Sequence, residues 1–248
     1  MYTIIHVYTE KIFRKIPCSG EKTVLQWMER CISMKDFPFF ATEAGVASLV
    51  LKEIPYREEA YITVRDVQPD GLEALLAECV SFCRMAGAEK IYASGHAGLE
   101  AYPLHTAIYE MRGEVCVDHK RVENLFPVTD ATVKQWRDIY NEKMRSVDCA
   151  ATQRAFDESE IVNSGGAYFV HHEGELLGIG WLRDTELLAV CAAKSGTGER
   201  VMHTLMSLVE GEAMTLEVAS TNTRAIRLYE KLGFIKVREV KRWYSLSE

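Results

Sequence analysis

The chain has 248 residues, 48% of them apolar and 26% charged, the balance of a folded globular protein rather than of a disordered, collagenous or coiled-coil one. Its 29 Lys and Arg against 36 Asp and Glu give a formal net charge of −7, which removes the wide basic field of a nucleic-acid binder. No apolar run approaches the roughly 18 residues of a membrane span, and the opening MYTIIHVYTEKIFRKIP is broken by charges, so it reads as neither signal peptide nor anchor.

In chain order, GVASLVLKEI (45–54) and EAYITVRDV (59–67) read as strands. A helix follows over 72–85, with Cys79 and Cys83 four apart on one buried stripe, then a short strand IYAS (91–94) and the start of another helix at 106–111. The stretch around Pro127 sets a boundary at 122–127, dividing the chain into 1–123 and 124–248. Beyond it, Asp130 is placed to cap a helix over 131–145, and a second helical stretch runs near 153–162. AYFVHHEGELLGIGWL (167–182) is two strands joined at Glu173-Gly174, a pair that tight hairpins favour, and ELLAVCAA (186–193) is apolar enough to be a covered central strand. Lys194-Ser195-Gly196-Thr197-Gly198 opens a helix carrying Val201, Met202, Leu205, Leu208 and Val209 on one face. MTLEVAS (214–220) alternates as a strand, 222–232 forms a helix stopped by Gly233, and IKVREVKRWYSL (235–246) ends as a hairpin or strand pair.

The element order of the first half resembles that of the second. AIYEMRG (107–113) also matches RLYEKLG (227–233) at three positions, and together these read as an internal duplication. Seven cysteines, without C-x-x-C or zinc spacing, fit a reducing cytoplasm and no metal. His171 and His172 are strand neighbours facing opposite ways, which argues against paired ligation. Trp181, Trp243 and Tyr244 fit either an acceptor groove or apolar packing.

Chemistry concentrates in the second half. Gly196 and Gly198 let main chain approach a ligand closely, and the first N–H groups of the helix they open have no partner inside it. A phosphate or pyrophosphate fits there, as does a plain strand-to-helix turn. Glu199 in the first turn favours the helix but opposes an anion. The pattern Asn222-x-x-Ala225-x-x-x-Tyr229-x-x-x-Gly233-Phe234, following the strand LEVAS, strongly resembles the cofactor and acid motif of the GNAT family of N-acetyltransferases. That family's glycine loop, Gln/Arg-x-x-Gly-x-Gly/Ala, falls on Ala193, Gly196 and Gly198. Ala193 departs from the pattern, with Lys194 beside it as a substitute positive group.

The resemblance implies an α/β (α+β) fold of two GNAT-like domains, each a mixed, mostly antiparallel sheet flanked by helices. It implies acetyl-CoA as co-substrate and no metal. The cofactor arm would insert where the strand at Leu188, Ala189 and Val190 splays from LEVAS, and Lys194, Ser195, Gly196, Thr197, Gly198 and Glu199 would hold the pyrophosphate. Asn222 and Ala225 would meet the arm at the helix start, Asn222 serving equally as an N-cap. Tyr229 takes the place of the acid that protonates the leaving thiolate. Glu217, in the Leu-Glu-Val context of ribosomal-protein alanine N-acetyltransferases, takes that of the base, with Glu186 acting through water as substitute. A base matters because a lysine amine of pKa about 10.4 is only about 0.04% neutral at pH 7, against roughly 10–20% for an α-amine. The first half, with one glycine in Gln68-Pro69-Asp70-Gly71 and no Asn-x-x-Ala before Tyr109, reads as a degenerate GNAT-like domain shaping the acceptor site. The expected protein is a cytoplasmic monomer or homodimer that acetylates a small-molecule, peptide or protein amine, with no nucleic acid or membrane as partner. The alternatives are an acetyl-CoA sensor or assembly protein without turnover, and a transferase for a different acyl-CoA.

Overall fold

The computed structural model describes residues 39–116 and 122–247. The reading of the N-terminus, Cys18, Cys31 and part of the stretch before Pro127 lie outside them. Two compact units are present, one of Met1–His105 with Trp243–Glu248, the other of Thr106–Arg242.

In the first unit, β1 (Phe39–Ala41), β2 (Gly45–Val50) and β3 (Glu59–Val67) form an antiparallel ladder, with a single helical turn α1 (Ile54–Arg57) between β2 and β3. Helix α2 (Leu72–Met85) then crosses to β4 (Lys90–Ser94), parallel to β3, and Tyr244 and Ser245 of β11 (Ile235–Ser245) pair antiparallel with β4. Leu75, Leu76, Cys79 and Cys83 form the buried stripe of α2, packed on Leu49, Ile62 and Ile91. Burial pushes both thiols up to about 12, which makes them packing groups rather than nucleophiles.

The second unit runs in the order β5-β10-β9-β8-β7-β6 across its sheet. Its strands are β5 (Leu104–Glu114), β6 (Asn124–Pro127), β7 (Ala167–His172), β8 (Glu175–Arg183), β9 (Glu186–Ala192) and β10 (Ala213–Ala219), and the helices are α3 (Val133–Met144), α4 (Glu158–Asn163), α5 (Gly198–Met206) and α6 (Thr223–Lys231). All neighbours are antiparallel except β9 and β10. The hairpin at Glu173-Gly174 has both residues at positive φ, as its sequence demands. One core joins α5 and α6 to the sheet through Val201, Met202, Leu205, Leu216, Val218, Tyr229 and Phe234. Gly180 makes this approach possible, because a Cβ there would stand 2.3 Å from Leu205 Cδ1. A second aromatic core stacks Trp136 on Tyr140 and sets Trp136 edge-on to Trp181.

Several expectations are corrected. Residues 106–111 are not a helix but the centre of β5, where Thr106, Ile108 and Tyr109 suit a strand and the ladder to β10 runs from Ile108↔Ala219 to Glu114↔Ala213. The match of 107–113 with 227–233 therefore sets a strand against the end of α6 and joins unlike elements. What does recur is an order: β1-β2-β3-α2-β4 and β7-β8-β9-α5-β10 are each three antiparallel strands, a helix and a strand parallel to the third. The division between the compact units falls inside β5 and β11, with the described part of 106–116 in the second unit. Helix α3 starts after Thr132, not Asp130. The 153–162 stretch is a 3₁₀ turn at Ala155–Asp157 leading into α4, and 235–245 is one long strand rather than a pair.

Candidate active site at a fork between two strands

Strands β9 and β10 pair over only two positions, Thr215↔Glu186 and Leu216↔Leu187. The next rung would join Glu217 to Leu188. On its other side β9 changes register there, since Leu182 opposes Leu187 while Trp181 opposes Ala189, which leaves Leu188 bulged. A bulge bends the strand, so from Leu188 onward β9, with Ala189 and Val190, runs on without β10 beside it. β10 meanwhile continues through Glu217 and Ala219, paired with β5. The result is a fork with main-chain edges on both arms.

Glu217 stands at this fork on the face away from the Leu216 and Val218 core. Its Oε2 is buried without a hydrogen bond among the described residues. Burial first, and then repulsion from Glu186 and Glu110, raise its carboxyl above the usual range, while Arg238 pulls the other way. Glu186 is on the rung before, opposite Thr215. Tyr229, on the inner face of α6, is 7% exposed and packs on Phe234 with ring centroids 5.9 Å apart. Burial raises its phenol well above the ordinary value, with a smaller contribution from nearby Cys191. Asn222 caps α6, its side chain accepting from the Ala225 N–H at 3.3 Å.

The glycine loop leads into α5 from the end of β9. Gly196 has φ +87°, a conformation that favours glycine, and none of the described residues lies within 4 Å of where its Cβ would stand, so among them that side of the loop is open. Thr197 turns its hydroxyl inward to the carbonyls of Leu177 and Lys194, at 2.8 and 2.9 Å, which leaves only its main chain for a ligand. The first helical bond is Val201 N–H to Thr197 C=O, so the N–H groups of Gly198, Glu199 and Arg200 precede it, unpartnered within the helix. Lys194 is drawn to Glu175 at 2.7 Å, away from the role of substitute cation.

Two cations that sequence reading missed reach this loop from α6. Lys231 lies 2.5 Å from Glu199 and offsets the one charge that opposes an anion, and Arg224 lies 3.5 Å from Ser195 Oγ. Their i, i+7 spacing on the motif helix is the signal that would have found them. Arg200 is tied to the buried carboxylate of Glu123, which also binds His172 Nδ1 at 2.8 Å. His172 thus shares a hydrogen bond with Glu123 while its ring stays partly exposed. Trp181 lies in the buried core beside Trp136, and Trp243 and Tyr244 are buried in the first unit, so all three pack rather than line a groove. Among the described residues no group of His, Cys, Asp and Glu is arranged to hold a metal, and no helix is long and apolar enough to cross a membrane.

Residues 133–234 match the acetyltransferase (GNAT) family, so this stretch is a GNAT acetyltransferase domain. The chain's fold is similar to a GCN5-related N-acetyltransferase of Sphaerobacter thermophilus, with TM-score 0.52 and 15% identity over 83% of this chain and 78% of that one. It is also similar to a probable N-acyltransferase of Enterococcus faecalis, with TM-score 0.60 and 10% identity over 90% and 66%. A GCN5-related N-acetyltransferase of Anabaena variabilis gives 0.59 and 11% over 89% and 64%. At these identities the likeness is one of fold. No curated protein matches the sequence.

Proposed function

We propose that this protein is an N-acetyltransferase that moves acetyl from acetyl-CoA to a primary amine by direct attack in a ternary complex. The observation that carries the reading is the fork opened by the Leu188 bulge, with Glu217 on one arm and the open Gly196 loop at the end of the other. When bound there, acetyl-CoA supplies an activated thioester. The strand edges at Leu188, Ala189 and Val190 fit an extended amide-bearing arm, and Ser195 to Glu199 with Arg224 and Lys231 fit its phosphates. Ala225 and Asn222 stand at the start of the helix between them.

Glu217 takes a proton from the amine, directly or through a water shared with Glu186, as the N–C bond forms. Tyr229 faces the leaving sulfur as the C–S bond breaks. A free phenol near 10 and a thiol near 8.5 already make that transfer uphill by about 2 kcal/mol. Burial makes it more so, and Tyr229 therefore acts as a hydrogen-bond donor to the thiolate that yields its proton late. The first unit, with its repeated strand, helix and strand order and, among its described residues, no open glycine loop of this kind, is proposed to be a degenerate GNAT-like half. We assign the protein to the cytoplasm, as a monomer or homodimer whose acceptor is a small-molecule, peptide or protein amine.

Calorimetric titration of the full chain with acetyl-CoA tests the reading. One site, lost in Gly198→Glu, supports it. Two sites would give the first unit a cofactor of its own, and absence of binding would overturn the proposal. Binding without turnover over a panel of amines would favour the sensor reading, and a stronger response to a longer thioester would name a different acyl donor.

A further inference from the structure

Beyond the motif residues, β10 has a second neighbour that the GNAT pattern does not mention. β5 sets Glu110 directly opposite Glu217, and like charges facing each other across a strand pair are destabilising. The pairing is held by Arg238 of β11, whose Nε and a terminal guanidinium nitrogen donate to Glu110 Oε2 at 2.9 and 2.6 Å. All three residues belong to the second unit. The charged groups facing Glu217 among the described residues are then Glu110 and Arg112 of β5, Arg238 of β11 and Glu186 of β9. Arg112 stands opposite Thr215, diagonal to Glu217, and Glu186 opposes the same threonine from the other side.

We propose that Glu110 and Arg238 are positioning residues for Glu217, an ion pair laid across the adjoining strands that sets the charge the fork carboxylate faces and hence when it holds a proton. The proposal rests on the reading of Glu217 as the base. Neither residue touches the reacting atoms. Glu110 opposes ionisation of Glu217, Arg238 promotes it, and their mutual bond keeps the two effects in balance.

The consequence is a pair of opposite shifts that a merely structural role would not produce. Glu110→Gln removes the facing negative charge and leaves Arg238, so the Glu217 titration moves to lower pH. Arg238→Met leaves Glu110 uncompensated, so it moves to higher pH. For unit charges roughly 6 Å apart between protein-surface and bulk-water screening, each shift is between about 0.5 and 2 pH units. The double variant returns close to wild type, and Arg238→Lys retains the wild-type midpoint.

The experiment is a carbon-detected NMR titration of the full chain with its Glu side-chain carboxyls labelled, the Glu217 resonance assigned by its loss in Glu217→Gln. The pH profile of kcat/KM is recorded on the same variants. Opposed shifts of the Glu217 midpoint, cancelling in the double variant, support the proposal. Shifts of the same sign in both single variants, or none, overturn it, whatever happens to activity. If the NMR midpoints move as stated while the acid limb of kcat/KM stays fixed, the coupling stands and the assignment of Glu217 as base fails, passing that role to Glu186 or solvent.

Discussion

Replacing Glu217 by Gln is expected to make the protein more stable and less active, with a stability gain that depends on pH. Burial and the neighbouring carboxylates raise the Glu217 carboxyl in the folded state. A group raised in this way contributes stability that is fully present below the unfolded value of about 4.3 and lost as pH rises through the folded value. Once ionised, Glu217 carries an Oε2 that has no hydrogen bond among the described residues. An unsatisfied buried acceptor costs about 1–3 kcal/mol, and partial exposure at the fork screens this to about 1 kcal/mol. Gln carries no charge, and its amide can donate to Glu110 across the strand pair. For a chain of this size the thermal midpoint should rise by about 2–4 °C at neutral pH, and the gain should shrink toward zero near pH 4.5. Scanning calorimetry of both proteins across that range, beside acetyl transfer at each pH, is the assay. An equal gain at both ends, or a loss at neutral pH, would refute the argument that the ionised carboxylate is the costly species.

Other perturbations probe the remaining parts. Tyr229→Phe should lower turnover at least about tenfold with acetyl-CoA affinity and melting temperature unchanged, because the hydroxyl makes no hydrogen bond among the described residues; steady-state kinetics beside calorimetry would show it. Gly180→Ala should destabilise by about 1–3 kcal/mol, since its Cβ would stand 2.3 Å from Leu205 Cδ1 and push α5 off the sheet; urea denaturation measures this. Lys231→Ala should weaken acetyl-CoA binding severalfold by leaving Glu199 uncompensated in the first turn of α5, with a smaller effect at high salt, and titration at two ionic strengths checks it. Asn222→Ala should cost about 0.5–2 kcal/mol through loss of the α6 cap, and Asn222→Asp, which keeps the acceptor oxygen, should restore stability but not cofactor affinity if the amide also serves the ligand.

The strand and helices around the fork were legible because each rests on a local rule. A nearly continuous apolar run is a buried strand, glycines next to it open a helix, and the Asn222 to Phe234 spacing repeats one helical face. The hairpin at Glu173-Gly174 and α2 follow from the same logic. The bulge at Leu188 was not visible in the residues themselves. LLAV differs little from any apolar strand, and the register change is fixed only by what β8 and β10 offer on either side. Resemblance supplied the splay, and the ladder supplies its cause.

What the sequence hid most completely is β5. The run LHTAIYEMRGE sets Met111 and Gly113 between Glu110, Arg112 and Glu114, a period of two confined to its last five residues. Local propensity was close to indifferent, and pairing with β10 decided the outcome. That decision is also what brings Glu110 to Glu217. A strand whose identity depends on a partner distant in sequence carries its side chains to places that no local pattern records. A base can thus be readable from its own strand while the charges that tune it come from elements whose place only the assembled sheet reveals.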